Sequence, residues 1–470
     1  MTRVLSVASE CFPLVKTGGL ADVVGALPAA LATHDVDMHT LVPGYPAVMH
    51  AIGHDAPIRA TLTDIFGGTA RIRSGQVDGH PLLVLEAPHL YDRPGNPYHN
   101  TNGSDWGDNA SRFAALSWVA ALIGTHGLDG WSPQVLHLHD WQTGFAPVYL
   151  RQMGGASRVG TLFTIHNIAF QGVVGGQELF WLRLRGEDFT MDGFEYYGHI
   201  SSLKAGLVFS DRISTVSPTY AQELMRPEFG RGMQGVLHQR RDVFTGILNG
   251  IDTDAWQPPY TDPADKASHK AALRKEVGLP EADGPLCVVI SRFSEQKGMD
   301  LLLQALPTLL RHGGQIAILG NGDRALEAAF RRAARHSSVS VHIGYDEPRA
   351  RRYLAGADVI LVPSRFEPCG LTQLYGLRFG TLPLVALTGG LADTIVHANA
   401  AGLRAGISTG FQFNPIDSEA LCGMLSHMCD QFSRPAIWRR MQLNAMSQSV
   451  SWQASSAEYA AIYSEIAAAK

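Results

Sequence analysis

Short runs of apolar residues alternate along the chain with longer stretches in which apolar positions recur every three or four residues. The short runs are nearly continuous in Val, Ile, Leu and Ala, which is typical of strands buried in parallel sheets. They lie at 4–8, 135–138, 161–165, 212–216, 286–290, 316–319, 339–343 and 359–362. Segments such as 108–123 and 299–310 have the helical period. This alternation predicts parallel sheets covered by helices on both faces.

The chain is long enough for two cores. It has 470 residues, 45% of them hydrophobic, whereas single cores stop growing near about 250–300 residues. The pattern breaks within 245–285, where Pro258 and Pro259 precede a polar stretch. We therefore predict two doubly wound, Rossmann-like domains, 1–248 and 249–450, facing one another across a cleft. The last segment, 451–470, is predicted to be a helix that can cross back to the first domain.

Charge and cysteine content narrow the class of protein. The formal net charge is -5, so no general attraction to nucleic acid or to an anionic membrane is expected. The five cysteines are scattered and have neither zinc-ligand nor redox spacing, which favours a reducing, cytoplasmic setting. No apolar stretch is long enough to span a bilayer, and the apolar run at 4–8 is too short for the core of a signal peptide.

A glycine-rich loop follows the first predicted strand. It reads Lys16-Thr17-Gly18-Gly19 and leads into a helical stretch. Paired glycines let backbone amides approach an anion, the helix N-terminus adds partial positive charge, and Lys16 adds a full one. The alternative is a plain strand-to-helix loop, since the sequence is neither a P-loop nor a dinucleotide fingerprint. The same letters, TGGLAD, recur at 388–393, which we interpret as a second strand-to-helix turn using glycine for the same geometric reason.

Polar residues also follow the second and third strands. His137, His139 and Asp140 end the run at 135–138, and His166 and Asn167 follow the run at 161–165. His137 and His139 share one face of an extended strand and could bind a metal with Asp140, but no convincing further ligand is visible. We prefer the interpretation that Asp140, a carboxylate beside the aromatic Trp141, helps to hold a sugar. For His166, a structural and a catalytic role both remain open.

The second half of the chain carries two further candidate loops. Arg292 and Lys297 follow the strand at 286–290, and two cations in one loop can converge on a diphosphate. The alternative is solvated surface charge. Glu367 follows the strand at 359–362, and Gly370, Leu371 and Thr372 are predicted to form the first turn of a helix whose free amides can hold a phosphate or sugar oxygen. The neighbouring Cys369 is interpreted as a small packing residue.

Taken together, these motifs resemble the family of bacterial glycogen synthases and plant starch synthases. The segments that carry the resemblance are KTGGLADVVGALP, HNIAFQG, SPTYAQE, LNGID, SRFSEQKG and SRFEPCGLTQLYG, in the family's order, within about 4–396. The resemblance implies a GT-B fold of two Rossmann-like domains. It further implies transfer of glucose from ADP-glucose to the non-reducing 4-hydroxyl of an α-1,4-glucan, with retention of configuration. It implies no obligatory metal and no cofactor.

The resemblance also implies roles for individual residues. The expected catalytic set is Lys16, Asp140, His166, Arg292, Lys297 and Glu367. The expected substrate contacts are Lys16, Gly18, Gly19 and Asp22 at the diphosphate and sugar; Asn167, beside the glucosyl group; Asn249, in the hinge segment; Arg292 and Lys297, at the leaving diphosphate; Tyr345, stacked on adenine; and Glu367 with the amides of Gly370, Leu371 and Thr372, at the donor. Many GT-B enzymes have a second glutamate eight positions after the first, whereas this chain has Tyr375 there, as glycogen synthases do. The group that contacts the ribose therefore stays open.

Three other functions and two mechanisms remain as alternatives. A nucleotide-linked oxidoreductase would suit two doubly wound domains, but its G-x-G-x-x-G turn is missing, and Gly320-Asn321-Gly322 is the nearest match. A non-catalytic glucan-binding protein, or a synthase that uses UDP-glucose, would share the fold. Retention could arise by double displacement or by same-face substitution. No residue stands out as the nucleophile that double displacement needs, which favours same-face substitution.

Overall fold

The chain divides into two compact units. The computed structural model describes residues 1–344 and 346–470. Unit 1 comprises Met1–Asn249 and Trp452–Lys470, and unit 2 comprises Gly250–Ser451. Tyr345, the residue expected to stack on adenine, lies outside the described residues.

Unit 1 begins with a strand and contains most of the short elements of the chain. Its strands are β1 (Thr2–Val7), β2 (Val36–Pro43), β3 (Ile58–Leu62), β4 (Ala70–Val77), β5 (His80–Glu86), β6 (Val135–His139), β7 (Gly160–Ile165), β8 (Val173–Gly175), β9 (Glu195–Tyr196), β10 (His199–Ser201), β11 (Arg212–Thr215) and β12 (Phe244–Gly246). Its helices up to that point are α1 (Gly19–Ala32), α2 (Pro46–Ile52), α3 (Pro88–Tyr91), α4 (Asn109–His126), α5 (Ala146–Gln152), α6 (Ser202–Phe209), α7 (Pro218–Leu224) and α8 (Gln234–Gln239). Single 3-10 turns occupy Trp141–Thr143, Gly176–Leu179, Gly186–Asp188 and Arg241–Val243.

The main sheet of unit 1 has the order β12-β11-β7-β6-β1-β2-β5-β4-β3. The strands from β12 to β5 run parallel, as the alternating pattern predicts. The last two strands in this order, β4 and the edge strand β3, are joined by antiparallel pairing. Strand β4 pairs antiparallel with β5 because the two are connected by the two-residue turn Asp78-Gly79, both residues having positive φ. Strand order reverses at β1, which lies between β6 and β2. Such a switch point is where open α/β sheets bind ligands.

Unit 2 is a wholly parallel α/β unit. Its strands are β13 (Leu286–Ile290), β14 (Gln315–Gly320), β15 (Val339–Ile343), β16 (Val359–Val362), β17 (Leu382–Ala386) and β18 (Phe411–Phe413). Its helices are α9 (Lys266–Val277), α10 (Met299–Arg311), α11 (Arg324–Ala333), α12 (Glu347–Gly356), α13 (Thr372–Arg378), α14 (Gly389–Thr394), α15 (Ala400–Ala405), α16 (Ser418–Phe432) and α17 (Pro435–Met446), with a 3-10 turn at Pro263–Asp265. The strand order β15-β14-β13-β16-β17-β18 is the order 3-2-1-4-5-6 of doubly wound folds, and its switch point lies between β13 and β16.

The cores follow from the apolar runs. In β13 and β14 the residues from Leu286 to Val289 and from Ile316 to Leu319 are fully buried, as expected of central strands covered on both faces. Helix α10 buries Met299, Leu302 and Leu309, which are spaced to share one helical face. In the part of the chain that the structure describes, no helix has the length and apolar character needed to cross a membrane.

The chain ends in helix α18 (Gln453–Ala468), which belongs to unit 1. Its Tyr459, Tyr463 and Ile466 are buried in a cluster with residues of α1, β1, β6 and β7. Contact with β7 is close, because a Cβ atom on Gly160 would lie 2.0 Å from Cγ2 of Ile466. The C-terminal segment therefore completes the core of the unit in which the chain begins.

Candidate active site

A buried carboxylate occupies the switch point of unit 2. Glu367 follows β16 and is 6% exposed. Its Oε2 accepts hydrogen bonds from Nζ of Lys297 at 2.6 Å and from Oγ of Ser364 at 2.8 Å. Lys297 comes from the loop after β13. The two strands on either side of the switch point thus supply an ion pair at their carboxyl ends, as parallel topology predicts.

This ion pair lines a small depression together with Ser291, Gly370 and Thr372. Arg292 lies on the same loop as Lys297 and is exposed. Among the residues that the structure describes, its guanidinium makes no hydrogen bond or ion pair with the protein. Arg292 is therefore available for an anionic ligand, whereas Lys297 is already oriented by Glu367.

Glycines shape the turn that carries Glu367. Gly370 has a φ of +74°, and a Cβ atom there would lie 2.5 Å from Oε1 of Gln373. This left-handed conformation ends before the helix, so α13 begins at Thr372, with Leu371 as its N-cap. The prediction that Gly370 and Leu371 belong to the first helical turn is therefore wrong, since a left-handed residue cannot join a right-handed helix.

The second TGGLAD segment, at 388–393, packs against the backbone of this turn and donates hydrogen bonds to it. Gly390 donates its N–H to the carbonyl oxygens of Glu367 and Pro368, at 3.2 and 3.1 Å. A Cβ atom on Gly389 would lie 1.9 Å from the carbonyl oxygen of Glu367. Both segments are thus strand-to-helix turns, as predicted. The expectation of one shared geometric reason is wrong for the first glycine of each pair, because Gly389 has a φ of +45° and a close backbone neighbour, whereas Gly18 has an extended backbone and open space around it.

In unit 1, Asp140 organises the second candidate group. Its backbone has φ +57° and ψ -175°, a region sparsely populated by residues other than glycine and common at functional sites. Its buried carboxylate accepts hydrogen bonds from the backbone N–H groups of His166, at 2.7 Å, and Asn167, at 3.3 Å. Burial raises the pKa of Asp140 to about 7, against the lowering effect of these two N–H donors. Asp140 therefore fixes the turn on which His166 and Asn167 lie.

The imidazoles of this group form a buried cluster. Nε2 of His166 lies 3.0 Å from Nδ1 of His139, and burial lowers the pKa of His166 to about 3, so its ring is neutral at physiological pH. The nitrogens of His139 face His166 and Ser6, and those of His137 face Thr164 and Tyr463. Because all four nitrogens are engaged by protein groups, His137 and His139 would have to break hydrogen bonds to bind a metal. In the described ranges no group of three or more His, Cys, Asp or Glu side chains is arranged for a metal ion.

The glycine-rich loop is fastened by a residue that sequence reasoning missed. The buried carboxylate of Glu10 accepts hydrogen bonds from Thr17 N–H, from Thr17 Oγ1 at 2.6 Å, from Gly18 N–H at 3.3 Å and from the Tyr98 hydroxyl. Helix α1 starts directly afterwards, at Gly19. Nζ of Lys16 lies 2.6 Å from Oδ1 of Asp22, in the first turn of that helix. The carboxylate of Glu10 therefore fixes the backbone of the glycine-rich loop, and Asp22 fixes the ammonium group of Lys16.

The predicted site residues thus fall into two groups. Unit 2 brings Lys297 and Glu367 together, with Arg292, Gly370, Leu371 and Thr372 on the adjoining loops. Unit 1 brings Asp140, His166 and Asn167 together and holds Lys16, Gly18, Gly19 and Asp22 on the neighbouring loop after β1. The charge of Glu10 also raises the pKa of Asp140, so these two loops of unit 1 interact electrostatically. Asn249, the last residue of the first segment of unit 1, is buried, and among the described residues its Oδ1 has no hydrogen-bond partner.

The residues missed were Glu10, Ser364 and Ser6. Glu10 and Ser364 each lie within three residues of a strand's end, which is the signal that could have identified them. Ser6 lies inside an apolar strand, where a single serine has no distinguishing pattern.

Comparison with known proteins gives matches over both units. Residues 3–239 match the family model for the starch synthase catalytic domain, and residues 284–431 match that for glycosyl transferases group 1. The glycogen synthase of Paracoccus denitrificans (strain Pd 1222) is 61% identical over 469 residues, covering 100% of both chains. That of Jannaschia sp. (strain CCS1) is 53% identical over 471 residues, covering 98% of this chain and 99% of the relative.

Solved structures give the same picture. The chain is similar to the catalytic domain of starch synthase IV from Arabidopsis thaliana bound to ADP and acarbose, with a TM-score of 0.87, 30% identity and 99% coverage of each chain. It is also similar to sucrose-phosphate synthase from Thermosynechococcus elongatus, with a TM-score of 0.63, 19% identity and 100% coverage of each chain. At that identity, the second likeness shows the fold alone.

Proposed function

The chain belongs to the family of bacterial glycogen synthases and plant starch synthases, and from that premise we propose that it transfers glucose from ADP-glucose to the non-reducing 4-hydroxyl of an α-1,4-glucan. The reaction releases ADP and retains the configuration of the anomeric carbon. The predicted GT-B fold is confirmed. The structural observation that most directly supports this chemistry is the Lys297–Glu367 ion pair at the switch point of unit 2.

Unit 2 is proposed to hold the donor's diphosphate. When ADP leaves, negative charge grows on the oxygen that was bonded to the sugar, and preorganised cations stabilise that charge. Lys297 is oriented by Glu367, and Arg292 is exposed for bidentate contact with phosphate oxygens. The amides of Gly370, Leu371 and Thr372 add donors to the same loop cluster. Glu367 holds Lys297 and offers its remaining oxygen to a sugar hydroxyl.

Unit 1 is proposed to hold the glucosyl group. Asp140 presents a carboxylate, His166 a neutral imidazole and Asn167 an amide at the carboxyl ends of β6 and β7. Lys16 and the amide of Gly19 provide positive charge for the diphosphate, and Asp22 positions Lys16. Gly18, whose N–H donates to Glu10, lets the ligand approach this loop closely. Tyr345 as the adenine-stacking residue and Asn249 as a polar donor contact remain predictions.

We propose that retention results from same-face substitution. A double displacement needs a carboxylate free to attack the anomeric carbon. Glu367 is engaged by Lys297 and Ser364, and Asp140 by two backbone N–H groups. In the same-face step the bond from the anomeric carbon to the diphosphate oxygen breaks, the acceptor oxygen bonds to that carbon, and a phosphate oxygen takes the acceptor's proton. Trapping a covalent glucosyl-enzyme, detected by mass spectrometry, would contradict this step.

We propose a cytoplasmic location, because the curated relatives are bacterial glycogen synthases and all five cysteines are free thiols.

The direct test is incorporation of glucose into polymer. Purified protein is incubated with glycogen and radiolabelled ADP-glucose, with labelled UDP-glucose in parallel, and label in washed glycogen is counted with and without EDTA. Incorporation from ADP-glucose that persists in EDTA is the expected result. Incorporation mainly from UDP-glucose would overturn the donor, and loss in EDTA would overturn metal-independent catalysis. No incorporation from either donor, with glycogen still bound, would indicate a non-catalytic glucan-binding protein.

A further inference from the structure

A chain of buried hydrogen bonds reaches His166 from inside unit 1. Ser6 of β1 and His139 of β6 are fully buried. Oγ of Ser6 lies 3.2 Å from Nε2 of His139, and Nδ1 of His139 lies 3.0 Å from Nε2 of His166. The other ring nitrogen of His166, Nδ1, is the one left for a substrate.

Only two arrangements of hydrogens satisfy both imidazoles. Burial lowers the pKa of both His139 and His166, so each ring is neutral and has one N–H donor and one acceptor nitrogen. In the first arrangement Ser6 donates to His139, His139 donates to His166, and His166 has its proton on Nδ1. In the second arrangement every direction is reversed, and His166 presents a lone pair on Nδ1.

Ser6 distinguishes between these arrangements. His139 is the hydrogen-bond partner of its hydroxyl within the described part of the chain. In the second arrangement the hydroxyl accepts from His139, and its own hydrogen is left buried without an acceptor, which is unfavourable. In the first arrangement that hydrogen is satisfied. His137 does not compete, because its two nitrogens contact Thr164 and Tyr463, each at 2.7 Å.

We propose that Ser6 and His139 are positioning residues that hold His166 in the tautomer with its proton on Nδ1. His166 then meets an oxygen of the substrate as a hydrogen-bond donor and cannot act there as a general base. That consequence rests on the proposed function, in which His166 contacts the glucosyl group, whereas the tautomer itself does not depend on it.

The tautomer is measured by NMR of protein labelled with ¹⁵N in its histidines, at neutral pH and without substrate. A lone-pair nitrogen and an N–H nitrogen of a neutral imidazole have well-separated ¹⁵N shifts. The His166 signals are assigned as those that disappear in His166→Gln. We expect Nδ1 of His166 to carry the proton and Nε2 to have the lone-pair shift. A proton on Nε2, or on both nitrogens, would overturn the proposal even if no variant of Ser6 folds.

The substitution Ser6→Ala tests whether the Ser6 hydroxyl selects the tautomer of His166. Without the hydroxyl, the two arrangements become comparable in free energy, so the His166 shifts move towards the average of both tautomers. The fraction of protein with the proton on Nδ1 of His166 then falls to about one half, and kcat/KM falls about twofold. Thr40→Val is the matched control. Thr40 is the β2 neighbour of Ser6, and its buried hydroxyl has no partner among the described residues, so its loss should leave the His166 shifts in place. Unchanged shifts in Ser6→Ala would show that Ser6 does not select the tautomer.

The proposed tautomer of His166 and its proposed role in the reaction can be refuted independently. Undiminished turnover in His166→Ala would overturn the role of His166 in catalysis, while the spectrum of the unsubstituted protein alone decides the tautomer.

Discussion

Gly18 is a glycine that the fold does not require. Its φ of -156° is extended backbone that any residue adopts, and a Cβ atom there would have no neighbour within 4 Å. The open space lies at the loop whose Gly19 amide is proposed to meet the diphosphate. The absence of a side chain is therefore best explained by close approach of a ligand.

The substitution Gly18→Ala should accordingly separate binding from stability. We expect the free energy of unfolding to change by less than about 0.5 kcal/mol, as for an unstrained surface site. The KM for ADP-glucose should rise by about tenfold or more, because the methyl group occupies ligand space at a phosphate contact. Urea denaturation and initial-rate kinetics measure the two quantities. In the control Gly370→Ala, the positive φ and the contact with Gln373 should destabilise the fold by at least about 1 kcal/mol. An unchanged KM in Gly18→Ala would argue against the anion-binding role.

Asp140 carries both backbone strain and a buried charge. Its pKa is about 7 in the folded protein and about 3.9 when unfolded. Between these values the folded state binds more protons than the unfolded state, so this residue's contribution makes stability fall as pH rises from about 4 to 7. Above pH 7 the full penalty of the buried charge is present.

Asp140→Asn should therefore stabilise the protein in a pH-dependent way. The amide oxygen can still accept from the N–H groups of His166 and Asn167, and no charge is buried. The gain in unfolding free energy should be small near pH 4 and grow to at most about 4 kcal/mol at pH 8. Turnover should fall by at least about tenfold if the carboxylate serves the reaction. Calorimetry at pH 5 and 8 measures the gain, and an equal gain at both pH values would contradict the raised pKa.

The position of a residue in the sequence identified the charged site residues better than it identified the residues that hold the site loops in place. Lys297, Arg292 and Glu367 lie in loops that follow apolar runs, and a charged residue in a loop after a buried parallel strand is a recognisable signal. Glu10 follows β1 in the same way, but its supporting role depends on hydrogen bonds to Thr17 and Gly18 that form only when the loop has folded. No periodicity indicates such a bond.

At the scale of elements, most strands of four or more residues in unit 2 were predictable and the shortest strands of unit 1 were not. The runs at 286–290 and 359–362 coincide with the central strands β13 and β16, because strands covered on both faces have continuous apolar sequences. The run at 339–343 coincides with the edge strand β15, which is largely half-buried and alternates apolar with polar residues. Strands β8, β9 and β10 have only two or three residues each, too few for any period. The antiparallel β4–β5 turn did have a signal, Asp78-Gly79, which is typical of hairpins.

Helix α9 contributes a buried cation that joins two other helices. Nζ of Lys266 donates to the carbonyl oxygens of Leu354 and Ala355, in the last turn of α12, and of Phe379, which caps α13. It also contacts the hydroxyls of Tyr260 and Thr381. Burial lowers the pKa of Lys266 to about 7. Helix C-termini favour a cation, so this lysine fixes the end of the helix that follows the Glu367 turn.

Lys266→Met should therefore destabilise unit 2. The side chain keeps its approximate length, but several buried carbonyl oxygens lose their donor, and we expect a loss of about 2–4 kcal/mol in unfolding free energy. Lys275→Met, on the exposed face of the same helix, should change it by less than about 0.5 kcal/mol. Denaturant midpoints for the two variants give the comparison. Equal midpoints would show that Lys266 does not cap α12 and α13.

At the scale of the whole molecule, each unit has its own core and its own switch point. Residues after β13 and β16 form the charged group in unit 2, and residues after β1, β6 and β7 form the groups in unit 1. The alternation of strands and helices predicted this class of fold, because it depends on many residues. The strand order could not be predicted from the pattern alone, since the same runs allow several orders.

The central claim is that the ion pair at the switch point of unit 2 is catalytic, and unit 2 contains a matched pair for comparison. Lys297 and Glu367 lie 2.6 Å apart with side chains 20% and 8% exposed. Lys270 and Asp358 lie 2.7 Å apart with side chains 15% and 12% exposed, but no site residue contacts them. Removing either lysine leaves a similarly buried carboxylate, so the two losses of stability should be comparable.

The measurement that tests the claim most directly is turnover with ADP-glucose and glycogen for Lys297→Met and Lys270→Met, at a temperature where both variants remain folded. We predict that Lys297→Met lowers turnover by at least about a hundredfold, as expected for loss of a contact to the leaving diphosphate, whereas Lys270→Met stays within about threefold of the unsubstituted protein. Near-normal turnover in Lys297→Met, or an equal loss in both variants, would contradict the account.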